Sequence, residues 1–235
     1  MCIYNHSVCQ DSYCEGEFGQ YDEDELFPYT GQRTLSDESA TVKGVHVISV
    51  CDARDKRAYN LECLIEGVRM KREALIKQGK TTFEQLHQLW LEYHWYLDQL
   101  HRRFLVRQIV VENITTTVGR SVIAQRLSGI TTYTGVVNYG ALGTSNTAAA
   151  VGNTQLGAEV YRKALSSGTY ASNVAYLENF YTATETTGTY QEYGFFIDGT
   201  GSANTGQLFN RFTSTVVKSN TETLNVQSTI TINNS

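Results

Sequence analysis

The 235-residue sequence has one proline, Pro28, and only 18% charged residues, against roughly 25% in ordinary soluble domains. It contains no run of about 18 apolar residues, so no membrane-spanning helix and no membrane partner is predicted. It also lacks a phosphate-binding loop, a G-x-S-x-G elbow and an H-E-x-x-H pair, which disfavours the enzyme classes that these motifs mark. Basic residues are few as well, because 19 Lys and Arg face 24 Asp and Glu. The net charge of −5 disfavours a nucleic-acid partner.

The first residues, MCIYNHSVCQ, show neither a basic start nor an apolar stretch. They are therefore not predicted to be a secretion signal, and we expect assembly in a cytoplasm. All five cysteines lie at or before residue 63. A zinc site can be drawn from Cys2, His6, Cys9 and Cys14, but structural zinc sites usually contain a C-x-x-C pair, which is missing. A disulfide would leave one thiol over, and free thiols are typical of cytosolic proteins. No metal and no cofactor is predicted.

Residues 1–43 form the first predicted region, an acidic N-terminal arm. Residues 1–50 carry nine acids and two bases, including the four-acid run at 22–25. Apolar periodicity is poor here, which is typical of a solvated, partly disordered segment. The alternative is an arm that becomes ordered on a partner, with its aromatic residues as anchors.

Residues 44–110 form the second region, a helical assembly segment. A short apolar run at 45–50 favours a strand. Apolar residues then recur at spacings of three and four over 57–78, which predicts a helix that ends before Gly79.

Thr81 and Glu84 have the spacing of a capping box, so a second helix is predicted over 82–108. This helix carries a broad apolar stripe, which we call the seam. The seam consists of Leu86, Leu89, Trp90, Tyr93, Tyr96, Leu97, Leu100 and Phe104. So broad a stripe has to be buried, either against the first helix as a helical hairpin or against copies of itself in an oligomer. We take the oligomer as the working hypothesis.

Three histidines, His87, His94 and His101, recur every seven residues beside the seam. This spacing separates them by about 10 Å along a helix, too far to share one ion within a chain. The favoured interpretation is a polar flank of the packed stripe. The alternative is a cluster between chains, which would make assembly depend on pH near 6.5.

Residues 111–235 form the third region and contain 23 threonines, 13 glycines and 12 asparagines. Threonine and aromatic residues suit strands, while Gly and Asn punctuate turns. One short helix is predicted at 120–127, and strands are predicted at 136–142, 158–166, 173–182, 189–197, 207–217 and 223–232. The predicted fold is therefore α+β, with an arm, a helical hairpin or long helices, and an antiparallel β-sandwich.

Two features of this region suggest binding or catalysis. Glu192 and Asp198 form a candidate carboxylate pair for glycoside cleavage, but acids at turns are ordinary, and no catalytic residue is predicted. Four tyrosines near predicted turns are candidate receptor-facing residues: Tyr133, Tyr139, Tyr170 and Tyr190. Aromatic rings stack on sugar faces, so a host-surface glycan is the alternative partner. The competing interpretation is a threonine-rich surface that only keeps the sheet soluble.

Four motifs follow one another in the third region: GRSVIAQRL at 119–127, YGALG at 139–143, EVYRK at 159–163 and TETLNVQSTITI at 221–232. In this order they resemble virion structural proteins of tailed bacteriophages, among tail, baseplate or fibre components. The resemblance covers residues 119–235, about half of the chain, and it implies a structural role without catalytic residues. Residues 1–43 match nothing in that family.

The sequence thus predicts a non-enzymatic structural component of a tailed-phage virion, such as a tail, baseplate, collar or fibre-attachment protein. It is expected to assemble in the host cytoplasm, through its helices and arm, with copies of itself and with other virion proteins. The alternatives are a carbohydrate- or receptor-binding module at the tail tip and a subunit of an extracellular filament.

Overall fold

The computed structural model describes residues 41–79 and 81–233. The described residues belong to an α+β fold with three helices and two antiparallel five-stranded sheets. The helices are α1 (Lys56–Lys77), α2 (Phe83–Phe104) and α3 (Thr117–Leu127). The strands are β1 (Thr41–Asp52), β2 (Leu105–Glu112), β3 (Ile114–Thr115), β4 (Val137–Gly143), β5 (Glu159–Ala164), β6 (Ser167–Ala171), β7 (Val174–Tyr181), β8 (Gly188–Ile197), β9 (Gln207–Lys218) and β10 (Glu222–Asn233).

The two sheets take their strands from distant parts of the chain. Sheet A has the order β2-β1-β10-β7-β6, and sheet B has the order β3-β9-β8-β4-β5. Within sheet A, β1 pairs with β10 along its whole length, from Thr41 opposite Asn233 to Asp52 opposite Glu222. Sheet A therefore contains strands from both sides of the predicted boundary at residue 111, and the described residues lie in one compact unit.

The core lies between the two sheets. Alternate residues of sheet A point inward, among them Ile48 of β1 and Val226 of β10, and they share a buried cluster with Phe195 and Phe212 of sheet B. Since strand side chains alternate between faces, this burial requires apolar residues at every second position. The sequence of β10 has this alternation, and the prediction of two packed antiparallel sheets is confirmed at the level of a sandwich-like arrangement.

Helices α1 and α2 lie on the outer face of sheet A. Ile65 of α1 and Leu97 of α2 share a buried cluster with Cys51 of β1 and Phe180 of β7. A 2.9 Å ion pair between Lys71 Nζ and Glu92 Oε1 joins the two helices. The helices thus form a third layer that is covered by this chain's own sheet.

Helix α3 is held closely against sheet B. Thr116 caps its start, because the Thr116 hydroxyl accepts a hydrogen bond from the Gly119 N–H at 3.1 Å. A Cβ on Gly119 would lie 2.6 Å from the Phe209 carbonyl oxygen, so the close approach of helix and strand requires glycine. The resemblance motif GRSVIAQRL therefore lies on a helix that packs against β9.

Two local predictions are wrong. The capping box is formed by Thr82 and Gln85, one residue later than expected. The second helix ends at Phe104, and the predicted helical residues up to Gln108 belong to strand β2. The reason is the concentration of β-branched residues in LVRQIVVE, which favours a strand. Strands β2, β3 and β6 were not predicted. None of the helices in the described ranges is long and apolar enough to cross a membrane. The predicted arm at 1–43 falls almost wholly outside the described residues.

Candidate functional site

The seam is buried within a single chain. Four of its residues, Trp90, Tyr93, Leu97 and Leu100, are at most 4% exposed. Leu89, Tyr96 and Phe104 are half-buried and pack against the same cluster of helix and sheet residues. Leu86, the eighth seam residue, is also half-buried.

The seam therefore does not need a second subunit to exclude water, which corrects the working hypothesis taken from the sequence. The physical reason is that sheet A presents an apolar outer surface, including Phe180 of β7, where α2 crosses it. The apolar period of the helix shows that one face needs a partner but does not identify that partner, because it lies in a distant part of the chain.

The three histidines lie on the side of α2 that faces sheet A. His94 Nε2 lies 3.0 Å from Glu178 Oε2 of β7, and both side chains are buried. His87 stacks on Trp90, with ring centroids 5.7 Å apart. His101 is half-buried, and burial lowers its pKa to about 4. Each histidine thus has its own environment along the flank of the seam.

The four tyrosines do not share a surface. Tyr190 is 2% exposed and its hydroxyl contacts the Thr186 hydroxyl, so the prediction that it faces a receptor is wrong. It lies two residues into β8 with its side chain directed inward. Tyr133 and Tyr139 are half-buried and pack against separate clusters near α3 and β4. Tyr170, on the edge strand β6, is 58% exposed.

Tyr170 has an aromatic neighbour that the sequence did not indicate. The ring of Phe83, the first residue of α2, lies 5.0 Å from the Tyr170 ring, and Phe83 is itself 49% exposed. The two rings form an exposed aromatic pair at one end of the helical layer. Such a pair offers apolar faces on which a sugar ring can stack.

Glu192 and Asp198 are not brought together as a catalytic pair. Glu192 is fully buried and lies 2.8 Å from Nη2 of Arg211, which is 2% exposed. Asp198 lies beyond the end of β8, where its carboxylate accepts a 2.7 Å hydrogen bond from the Thr134 N–H. Each carboxylate is occupied by a structural contact of its own.

The Glu192–Arg211 pair holds the loop between β4 and β5. The Glu192 carboxylate accepts hydrogen bonds from the N–H groups of Gly157 and Ala158 at 2.8 and 2.6 Å. The Arg211 guanidinium donates to the Thr147 carbonyl at 2.8 Å and to the Ala148 carbonyl at 3.1 Å. We call this arrangement the loop clasp. It fixes backbone that has no regular structure, and nothing in the sequence spacing indicated it.

A second group of buried charges lies between α1 and the turn that follows β7. Lys218 donates to four backbone carbonyls, those of Ala183, Glu185, Thr186 and Ser219, at 2.9–3.4 Å. Burial lowers the pKa of Lys218 to about 8. Glu62 accepts a 3.1 Å hydrogen bond from the Ala183 N–H, and burial raises its pKa. The amine and the carboxylate thus hold a turn in place.

An open cleft of about 300 Å³ lies near the start of β1. Its polar lining comes from Lys43, Asn113, Thr115 and Arg120, and its apolar lining from Val42, Ile114 and Val151. Lys43 and Arg120 are exposed, so their charges are well solvated. Within this lining the Thr115 hydroxyl donates a hydrogen bond to the Val42 carbonyl at 3.2 Å.

In the described part of the chain, no group of three or more His, Cys, Asp or Glu side chains is placed to hold an ion. Cys2, His6, Cys9 and Cys14 lie outside the described residues. Cys51 and Cys63 form no disulfide, and burial raises the pKa of the Cys51 thiol to about 12. A thiol with so high a pKa is a poor nucleophile.

An exposed apolar surface of sheet A lies on β1 and β2, beside the helical layer. Val106 and Val110 of β2 are 52% and 43% exposed, and Val45 of β1 is 38% exposed. Val47, which is half-buried, pairs directly with Val110. We call these four residues the valine face. They point to the outer side of the sheet, because the alternate residues Ile109 and Val111 pack into the core between the sheets.

The valine face ends at an open sheet edge. Among the described residues, β2 pairs only with β1 and is the outermost strand of sheet A. It has eight residues, compared with two in β3, six in β5 and five in β6, the other edge strands. An edge strand of this length, without proline, offers backbone groups for pairing with another strand. Its ladder with β1 is regular from Arg107 to Glu112 and has one register shift, between Arg107 and Leu105.

Comparison of the chain with protein-family models, curated proteins and solved structures finds no match in any of the three. The resemblance of residues 119–235 to virion proteins therefore stays a prediction from the sequence.

Proposed function

We propose that this protein is a non-enzymatic structural component of a tailed-phage virion, in a tail, baseplate, collar or fibre attachment. The observation that carries the proposal is the valine face with its open edge on β2, because proteins that act alone usually protect such an edge. The buried charged groups support it, since those of the loop clasp and around Lys218 hold backbone segments. We assign the assembly surface to the valine face in place of the seam; a role for the arm stays a prediction.

The motifs that carry the resemblance support the same proposal. GRSVIAQRL lies on α3, YGALG on β4, EVYRK on β5 and TETLNVQSTITI on β10. Three of the motifs lie on strands of the two sheets, and the first lies on the helix that packs against β9. This placement in the framework is what a shared structural role predicts.

The proposal is tested by the composition of the particles. Virions of the phage that encodes this chain are purified on a density gradient, and their proteins are quantified by mass spectrometry. We expect the chain in fixed stoichiometry with the major tail proteins. If the protein is abundant in infected cells but missing from purified particles, the proposed structural role is wrong. The predicted virion localisation is then wrong as well.

Binding of a host-surface glycan is a second candidate function, and the exposed pair of Tyr170 and Phe83 favours it. On a glycan array, the intact protein is expected to bind at least one sugar class, and Tyr170→Ala to lose about tenfold in affinity, the equivalent of one stacking contact. Tyr133→Ala is the matched control, because that ring packs against the core near α3. If wild type and Tyr170→Ala bind the glycan equally well, the pair of Tyr170 and Phe83 is not the glycan-binding site.

A further inference from the structure

We propose that two copies of this chain pair through their β2 strands, antiparallel and about a two-fold axis at Gln108, so that sheet A continues from one copy into the other. The inference rests on the proposed structural function and names the partner of the valine face. It follows from the open edge, from the positions of the exposed valines along β2, and from the charges on that strand.

The open edge has a residue pattern that complements itself. Val106 and Val110 lie two residues before and two residues after Gln108, and all three are exposed. The register of β2 with β1 shifts between Val50 and Cys51, which leaves Val106 without an opposite residue on β1. When two such strands pair antiparallel about Gln108, Val106 of each copy lies opposite Val110 of the other. An interface between identical copies requires this reciprocity, in which residue i meets j and j meets i. β-branched residues directly opposite each other are favourable cross-strand pairs.

The neighbouring registers are less favourable. An axis at Arg107 would place two arginines opposite each other, and like charges in this position are destabilising. An axis at Ile109 would place Val106 opposite Glu112, and an axis at Val110 would leave Val106 beyond the paired segment. A register whose two-fold axis lies between two residues would place an inward-facing residue of one strand opposite an outward-facing residue of the other. The two sheets could then not continue with the same face to the core. Gln108 is therefore the centre that covers both valines and opposes no like charges.

The polar side chains of β2 leave its backbone edge accessible to a second β2 strand. The Arg107 guanidinium is turned toward its own sandwich, where Nη1 lies 3.2 Å from Glu222 Oε1 and Nη2 contacts the Val217 carbonyl. Gln108 is turned toward β1, and its Nε2 donates to the Ser49 hydroxyl at 3.1 Å. Neither side chain has to lose a partner for a second strand to reach the backbone edge.

The pairing also extends the valine face across the two copies. Val110 lies next to Val47 of its own chain, so Val106 of the second copy would join a row that already contains Val47 and Val110. Apolar area on the face is thereby removed from water on both sides of the axis. The contact joins the two five-stranded sheets into one.

The test uses substitutions whose effects depend on the register. In sedimentation analysis of the intact protein over about a hundredfold range of concentration, we expect a reversible dimer. Val106→Glu and Val110→Lys should each weaken association about tenfold, because each replaces two favourable valine–valine cross-strand pairs per dimer with a charged side chain opposite valine. The double variant should regain most of the lost association, since the introduced carboxylate of one copy then lies opposite the introduced amine of the other.

The matched control is Val160→Glu on β5, the longest edge strand of sheet B, where Val160 is 53% exposed. It should leave association unchanged. Circular dichroism confirms that each variant keeps its fold. A monomer at every concentration, single variants without effect, or a double variant no better than the singles would each overturn the inference. A monomer that is nevertheless found in purified virions would overturn this inference and leave the proposed function standing.

A cross-link checks the axis independently. Directly opposite residues in antiparallel strands have Cα atoms about 4.5–5.5 Å apart, within the range for a disulfide. Under mild oxidation, Gln108→Cys should therefore give a disulfide-linked peptide in which the introduced thiols of the two copies are joined, identified by mass spectrometry. Val160→Cys should give no corresponding peptide. A Gln108→Cys protein that forms only other disulfides would overturn the proposed register.

Discussion

Replacing Arg211 with methionine is expected to destabilise the protein by about 3–5 kcal/mol, a large part of the stability of a typical domain. The substitution leaves the carboxylate of Glu192 buried without its cation, because Glu192 is 0% exposed and Arg211 is its ion-pair partner at 2.8 Å. It also removes the donor to the Thr147 and Ala148 carbonyls. The free energy of unfolding is measured by urea denaturation followed by circular dichroism.

The matched control is Arg102→Met on the exposed side of α2. Arg102 lies 2.7 Å from Asp98, but its side chain is 65% exposed, so solvent screens the pair. We expect a loss below about 1 kcal/mol there. Similar losses for the two variants would contradict the importance of burial at Arg211.

Removing both partners of the loop clasp should not restore stability. In many buried ion pairs, an apolar replacement of both residues is neutral or stabilising. Here Glu192 also accepts hydrogen bonds from the N–H groups of Ser145, Gly157 and Ala158. Three backbone donors would lose their acceptor in a Glu192→Met/Arg211→Met variant. Cleavage by a protease within 145–158 should therefore be faster in that variant than in wild type.

Acidification is expected to destabilise the protein through His46. The ring is fully buried between the sheets, and its centroid lies 3.8 Å from that of Phe212 in a stacked arrangement. Neither ring nitrogen has a hydrogen-bond partner among the described residues. Burial lowers the pKa of His46 from 6.5 to about 3. The folded protein therefore keeps this histidine neutral at pH values where the unfolded chain protonates it.

The direction in which stability changes with pH follows from the number of protons that the folded and unfolded states bind. Between the folded pKa of about 3 and the unfolded value of 6.5, the unfolded state binds more protons at His46, so stability falls as the pH falls. From about pH 7 to about pH 4.5 the expected loss from this group is about 2–3 kcal/mol. His101, with its pKa lowered to about 4, adds a loss of the same sign.

His46→Phe should remove the His46 part of this pH dependence. Phenylalanine keeps a ring against Phe212 and has no nitrogen to protonate, and the other titratable groups are the same in both proteins. The difference in unfolding free energy between variant and wild type should therefore grow by about 2–3 kcal/mol from about pH 7 to about pH 4.5. Parallel curves for the two proteins would show that His46 does not set the acid sensitivity.

Local pattern predicted much of the framework. The alternation of Leu224, Val226 and Ile230 with polar neighbours identified β10, because a strand with one buried face needs period two. The spacing of Ile65 and Val68 identified α1 for the equivalent reason in a helix. These segments are long and strongly periodic, so tertiary contacts reinforce their local preference.

Where the hydrophobic pattern was short or ambiguous, the secondary-structure prediction was wrong. Residues 105–108 continue the apolar spacing of α2, and only the dense β-branched residues that follow show that a strand has begun. The edge strand β6 has the sequence SGTYA, whose small and polar residues are typical of a loop. It is a strand because β7 pairs with it over all five residues.

The sites were less predictable than the framework, because they depend on contacts between distant residues. The period of α2 showed that Leu97 and Leu100 need burial, but Cys51 and Phe180, which lie in the same cluster, come from two remote strands. Tyr190 was predicted to lie near a turn and to face outward, although its side chain is part of the core cluster between the sheets. Glu192 and Arg211 are 19 residues apart, a separation with no characteristic spacing.

The pairing of β1 with β10 has a consequence for biosynthesis. The register joins residues 41–52 to residues 222–233, so a ribosome has to release nearly the whole described segment before the second strand can reach the first. Until then β1 and β2 are exposed as a valine-rich pair without their neighbour. Contacts so far apart in sequence slow folding and prolong the exposure of aggregation-prone strands. Chaperone dependence during synthesis is the consequence that we expect from this topology.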